Sequence, residues 1–183
     1  MLASVQTSLG STDQAIANYQ RALQNNPRDV RIYIYLSTLL ESRGEWQQAE
    51  DACQKALQIQ PDYAPAANDL AYLMLEHGGN VNVALSLAQT ARRGLPDLPN
   101  TADTLGWAYY TQGVYNAAID LLREAVKGNP QSPTYHYHLG MAYWRANNYP
   151  MARKQLEYTL HLSPNYSEAS EIKKVLSETP QKN

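Results

Sequence analysis

Small and apolar side chains recur along this chain in short stripes set a constant distance apart. In five windows a small residue is followed four positions later by a larger or apolar one, and three later by another small one. These are Ala15-Tyr19-Ala22, Ala49-Cys53-Ala56, Ala84-Ala88-Ala91, Ala118-Leu122-Ala125 and Ala152-Leu156-Thr159. An i, i+4, i+7 stripe lies on one face of an α-helix, so each window predicts a helix, here called helix B. Each stripe ends five residues before a proline, and Pro27, Pro61, Pro96, Pro130 and Pro164 are spaced by 34, 35, 34 and 34 residues. A fixed period of some tens of residues marks stacked copies of one supersecondary unit.

Upstream of four stripes a second pattern predicts helix A. Leu36-Ser37, Leu70-Ala71, Leu105-Gly106 and Leu139-Gly140 are each followed by a large residue, Leu40, Met74, Tyr109 and Tyr143. The small residue lets the partner helix approach and the large one fills the adjoining gap. Gly10, Gly44, Gly78-Gly79 and Gly113, with Asn147-Asn148 in the last unit, are expected to turn the chain between helices A and B.

These residues resemble the tetratricopeptide repeat (TPR) family, whose helix A reads W-x2-L-G-x2-Y and whose helix B reads A-x3-F, then A and P. Leu105-Gly106-x2-Tyr109 with Ala118, Leu122, Ala125 and Pro130 fits, as does Leu139-Gly140-x2-Tyr143 with Ala152, Leu156 and Pro164. Ala67, Ala102 and His136 replace the first aromatic, and the third unit has one extra residue near Gly78-Gly79-Asn80. The resemblance implies an all-α fold, a right-handed α-solenoid of antiparallel helix pairs (a TPR superhelix) ending in a capping helix. In this register 1–29 is a partial unit holding the end of a helix A and a helix B. Full units follow at 30–63, 64–98, 99–132 and 133–166, then a capping helix at 167–178 with Ala169, Ile172 and Leu176 on one face, and a disordered tail at 179–183. A solenoid unit buries its core through its neighbours, so the half-unit suggests a piece of a longer protein.

In this family helix A lines the concave side, and the residues opposite the core stripe reach the groove. At equivalent positions the full units carry Ile34-Thr38-Glu41, Asn68-Tyr72-Leu75, Asp103-Trp107-Tyr110 and Tyr137-Met141-Trp144, increasingly aromatic toward the C-terminus. Trp and Tyr give large contact areas at low entropic cost, so this row reads as a surface for a peptide or protein partner. Asn68 and Asp103 would orient the ligand, with Arg31 and Arg145 at the edges pairing with an acidic residue. Packing of the same aromatics against neighbouring helices stands as the alternative. A family subset grips acidic chaperone tails through Lys, Asn and Arg. Here Ile34, Asn68, Asp103 and Tyr137 fill one equivalent row, and an aspartate there repels a carboxylate.

Charge and chemistry narrow the field. Among 183 residues, 15 Lys+Arg against 17 Asp+Glu leave a formal net charge of −2, without the basic excess a nucleic-acid surface needs. Cys53 is the single cysteine, so no intrachain disulfide or Cys-pair zinc site forms; its helix B position predicts burial. His136 and His138, two apart on a helix, face different ways and do not converge on one ion. No phosphate loop, nucleophile elbow or His-Glu-x-x-His string is present, and no stretch approaches a membrane span, so direct membrane insertion is not expected. The reading is a non-catalytic scaffold without a cofactor. Its alternatives are a self-associating scaffold, a homo-oligomer, and the substrate-positioning arm of a larger enzyme or envelope export assembly. The compartment stays open between cytoplasm and, for a piece of an exported parent, periplasm or envelope. Strings such as Asn68-Asp69-Leu70-Ala71-Tyr72 also look like those of bacterial multi-repeat TPR proteins.

Overall fold

A computed structural model describes the backbone of residues 2–178 and the side chains of residues 11–178. The chain divides into two compact units, Met1–Gly94 and Leu95–Asn183. The first holds α1 (Leu2–Asn25), α2 (Val30–Ser42), α3 (Trp46–Ile59), α4 (Ala64–Glu76) and α5 (Val81–Gly94). The second holds α6 (Pro99–Thr111), α7 (Tyr115–Gly128), α8 (Pro133–Arg145), α9 (Tyr149–Leu162) and α10 (Ala169–Glu178). Helices α2 with α3, α4 with α5, α6 with α7 and α8 with α9 pack as hairpins.

The turns inside the hairpins share one construction. Gly44, Gly78 and Gly113 have φ near +80° (76°, 76° and 82°), and Asn147 takes the same left-handed region at 59°. Past each left-handed residue the chain closes on the helix it has left. The amide of Glu45 donates to the Leu40 carbonyl at 2.9 Å, Val114 to Tyr109 at 2.9 Å and Asn148 to Tyr143 at 2.9 Å. These six-to-one bonds satisfy carbonyls that a bare helix end leaves orphaned. Between α4 and α5 the turn covers 77–80, and the Asn80 carboxamide oxygen accepts from the amides of Asn82 and Val83 at 3.0 and 3.2 Å. Gly10 makes no such turn: it lies inside α1, which runs unbroken from Leu2 to Asn25. The expectation of a helix A end followed by a separate helix B in 1–29 is corrected here. A mid-helix glycine costs about 1 kcal/mol relative to alanine, too little by itself to break a helix.

Size matching between the helices of a hairpin forms the core. Ser37, fully buried, sits against Cys53, with its Oγ 3.1 Å from Sγ and donating to the Ala49 carbonyl at 3.0 Å. Ala71 and Ala88 hold the equivalent positions of the next hairpin and are both inaccessible to solvent. In the second unit the small member shrinks to glycine as the large one grows to leucine. A Cβ on Gly106 would fall 2.7 Å from Cγ of Leu122, and one on Gly140 equally close, 2.7 Å, to Cγ and Cδ2 of Leu156.

Helix α10 buries Ile172 and Val175, with Leu176 half-buried, while Glu171, Lys173, Lys174, Ser177 and Glu178 stay exposed. Val175 thus joins the apolar face expected from Ile172 and Leu176, and Ala169 is only half-buried. The expected tail at 179–183 lies outside the described residues.

Candidate interaction surface

In the first unit the helix A surface is built from α2 and α4. Arg31 is exposed but engaged: its guanidinium holds the α2 N-cap residue Asp29 through Nε to Oδ1 at 3.1 Å and Nη2 to Oδ2 at 2.9 Å. That bond holds the Asp29 carboxyl below its ordinary value. Ile34 is half-buried against the core formed by Leu36, Leu40 and Cys53. Thr38 and Glu41 are exposed, and Tyr35, which the groove pattern did not single out, is 54% exposed and stacked on Tyr19 with centroids 5.6 Å apart. Tyr72 and Leu75 are half-buried.

Asn68 is not a surface residue. It is 5% exposed, its Nδ2 donates to Oδ1 of Asp69 at 3.3 Å, and its Oδ1 has no hydrogen-bond partner among the described residues. The partly buried Asp69 carboxyl is raised above its ordinary value by desolvation, against a smaller lowering from Asn68. On the other side of this unit, α1, α2 and α3 enclose a recess of about 360 Å³ with Leu23, Leu36, Leu40 and Ala52 at its apolar base.

In the second unit the predicted row interlocks. Asp103 and His138 are buried side chains, 4% and 2% exposed, and His138 Nδ1 lies 2.9 and 3.0 Å from the two carboxylate oxygens of Asp103. The imidazole stacks on Trp107 with centroids 4.0 Å apart and planes at 13°, and the other face of the motif continues as Trp107 on Tyr110 at 4.3 Å and 3°. Tyr137 is tilted against Trp107 at 6.0 Å and against Tyr166 at 5.4 Å. Its hydroxyl donates to Oε2 of Glu171 on α10 at 2.8 Å. Burial, with that carboxylate beside it, pushes the Tyr137 phenol far above its ordinary value.

Three expected ligand contacts are therefore corrected. Asp103, Tyr137 and Met141 are 3%, 6% and 3% exposed, because Asp103 faces His138 while α10 seats Ile172 and Val175 on Tyr137, Met141 and Leu156. Trp107, Tyr110 and Trp144 remain half-buried around that cluster. Arg145 is exposed and donates through Nε and Nη2 to the Tyr115 hydroxyl at 3.1 and 2.8 Å. Beside it Trp144, Arg145, Asn147, Tyr149 and Glu178 border a recess of about 410 Å³.

The Asp103–His138 pair lies outside the sequence expectations, in which His138 stands only beside His136. The signal was present: the two residues are one period plus one position apart, which brings them to the same junction between successive helices A. His136 is itself 6% exposed, with Nδ1 at 2.6 Å from Gln155 Oε1 and Nε2 at 3.0 Å from the Pro130 carbonyl oxygen. Cys53 is buried as expected, and desolvation pushes its thiol up to about 12. No helix among the described residues is long and apolar enough to cross a membrane.

Helical hairpins repeating about every 34 residues, turned by left-handed residues and keyed by small-to-large contacts, are matched by known sequences. Residues 1–64 match the tetratricopeptide repeat, and residues 106–147 match the TPR repeat. The chain belongs to the tetratricopeptide repeat family. A TPR repeat-containing protein of Pseudomonas aeruginosa is 31% identical over 94 residues, covering 51% of this chain and 16% of the relative. A Pseudomonas putida protein named as a probable biofilm formation methyltransferase is 31% identical over 85 residues, covering 46% of this chain and 20% of the relative. The match thus spans a fifth or less of either curated relative's length. The solved structure of YrrB, described as a TPR protein with an unusual peptide-binding site, superposes with a TM-score of 0.65 at 19% identity, over 94% of this chain and 88% of that one. The TPR chain accordingly has the all-α solenoid fold of antiparallel helix pairs.

Proposed function

We propose that this TPR chain is a non-catalytic scaffold that holds a peptide or protein partner on the helix A side of its second unit. The observation that carries the reading is the half-buried trio Trp107, Tyr110 and Trp144, the last of which borders a recess together with Arg145. Rigid aromatics with one face packed and one edge exposed bind at little entropic cost, because their rotamers are already fixed. Arg145 adds a cation for an acidic ligand residue, and its bond to Tyr115 pre-orients it. The buried Asp103–His138 pair supports the rings from beneath rather than meeting the ligand. The peptide site named for YrrB supports the same reading.

The test is affinity capture from a lysate of the source organism, comparing the wild-type chain with Trp107→Ala/Tyr110→Ala/Trp144→Ala, with folding of both checked by circular dichroism. A partner retained by the wild type alone is the expected result; equal retention would remove this surface from the proposal. A second reading, as the repeat arm of a larger enzyme, is favoured by the likeness to a segment of the Pseudomonas putida protein. Sequence flanking the chain in its parent decides it: a catalytic domain there supports the arm, and repeats alone oppose it.

A further inference from the structure

One helix B position sets the recess of the first unit apart. Three residues after Ala49, Ala84, Ala118 and Ala152 stand Ala52, Leu87, Leu121 and Gln155, so only α3 of these four helices has a small side chain there. Where the side chain is larger, the chain occupies the place itself. Leu87 packs on the core of the first unit, and Gln155 Oε1 lies 2.6 Å from His136 Nδ1. At Ala52 a recess of about 360 Å³ stays open, floored by Leu36 and Leu40 of α2 and flanked by Leu23 of α1. Ligand pockets begin at about 300 Å³.

The rim of the recess is polar and uncharged on one side. Gln20 and Gln24 on α1 stand across from Gln48, Asp51 and Lys55 on α3, and all five are exposed. A carboxamide offers both a donor and an acceptor, as a peptide bond does. Gln48 is steadied by an N–H donated to Glu45 Oε2 at 2.8 Å. Asp51 and Lys55 have no ion-pair partner among the described residues, so each is left for an opposite charge from outside.

We infer that this recess binds an extended peptide segment of a partner protein, with leucine-like residues at alternate positions and a basic and an acidic residue between them. An α-helix, about 10 Å across with its side chains, is too broad for the space. A strand matches the rim. Asp51 and Lys55, four residues apart on a helix, stand about 6 Å apart along its axis, and alternate residues of a strand are about 6.6 Å apart. A basic residue beside Asp51 therefore places an acidic one, two positions away, beside Lys55, while the apolar residues enter between them and take the place that Leu87 fills in the next hairpin. The site lies on the first unit and does not depend on Trp107, Tyr110 and Trp144.

The test uses the full chain and, as probe, a fluorescein-labelled peptide Gly-Leu-Lys-Leu-Glu-Leu-Gly, followed by fluorescence anisotropy. Saturable binding with a dissociation constant of about 0.1–1 mM is expected, the gain from two buried leucines being offset by ordering of the strand. Ala52→Leu gives α3 the side chain that α5 carries. It should weaken binding at least ~10-fold while holding the urea midpoint at or above the wild-type value, because it fills a recess. Asp51→Asn/Lys55→Gln should weaken the probe about 2- to 5-fold and leave unchanged the affinity of a probe whose Lys and Glu are both replaced by Gln. In methyl spectra of the wild type the peptide should shift Leu23, Leu36 and Leu40 and leave Leu122 and Leu156 in place. Absence of saturable binding, equal affinity for Ala52→Leu, or an affinity indifferent to the two charges overturns the proposal. So does displacement of the peptide by octanoate, which would make the recess an acyl-chain site. If Ala52→Leu fails to fold, the methyl shifts of the wild type decide.

Discussion

Replacing Gly106 with alanine tests the size matching that holds each hairpin closed. The added methyl would lie 2.7 Å from Leu122 Cγ, 3.0 Å from Cδ2 and 3.3 Å from the Ala118 carbonyl oxygen, against side chains with no exposed surface into which to retreat. Overpacking of this kind costs about 1–3 kcal/mol, and the better helix propensity of alanine offsets about 1 kcal/mol of it. Gly106→Ala should therefore destabilise the chain by up to about 2 kcal/mol, although glycine is the poorer helix former. Leu122→Ala alone should cost about 2–5 kcal/mol through the cavity it leaves. The double variant reproduces the Ala71 and Ala88 arrangement of the first unit, and the methyl at 106 then fills part of the void. Urea unfolding followed by far-UV circular dichroism should accordingly give a favourable coupling of about 1–2 kcal/mol between the two changes. A stabilised Gly106→Ala, or additivity within about 0.5 kcal/mol, would refute the argument that Leu122 excludes a side chain at 106.

Three further outcomes follow from buried groups. Asp103→Ala leaves His138 without its carboxylate in a dry site and should cost about 2–4 kcal/mol, with a shift in tryptophan emission because Trp107 stacks on that imidazole; a loss below about 1 kcal/mol would oppose the pairing. Cys53 is buried and its thiol is pushed up to about 12, so Ellman's reagent at pH 8 should label the native chain at under ~1/1000 of the rate seen in urea; comparable rates would contradict the burial. Desolvation raises the Asp69 carboxyl in the folded chain, so the native state holds its proton more tightly than the unfolded one, and stability falls as pH rises from the ordinary value of 3.8 through the folded value. Asp69→Asn should flatten that part of the pH profile and raise the urea midpoint at pH 7 above that of the wild type, while an unchanged profile would refute the desolvation.

The helices were legible because their cause is local and repeated. Stripes such as Ala118-Leu122-Ala125 fall on one helix face in every unit, and Gly44, Gly113 and Asn147 supply the left-handed residue the turns require. Gly10 misled because glycine permits a left-handed turn without demanding one, and only packing decides which occurs. The interaction surface was less legible for a related reason. Periodicity locates Tyr137 and Met141 on the side of helix A away from its partner helix, but exposure depends on what else docks there, and α10 docks there. Asn68 and Asp103 occupy equivalent positions, yet the second is satisfied by a histidine 35 residues away while the first keeps an orphan acceptor; such a distinction needs the neighbouring helix, not the residue.

A chain of near-copies faces a hazard during folding that a non-repetitive chain does not: a helix can close on the wrong partner. The contact series from Ser37 with Cys53 to Gly106 with Leu122 works against this. Were α2 to meet α7, Ser37 would clash with Leu122, and were α6 to meet α5, Gly106 facing Ala88 would leave a void. Each mismatch costs on the order of the overpacking or cavity penalties of a core substitution, about 1–5 kcal/mol. The differing side-chain volumes thus act as an internal address, telling a helix of one unit apart from its look-alikes in the other.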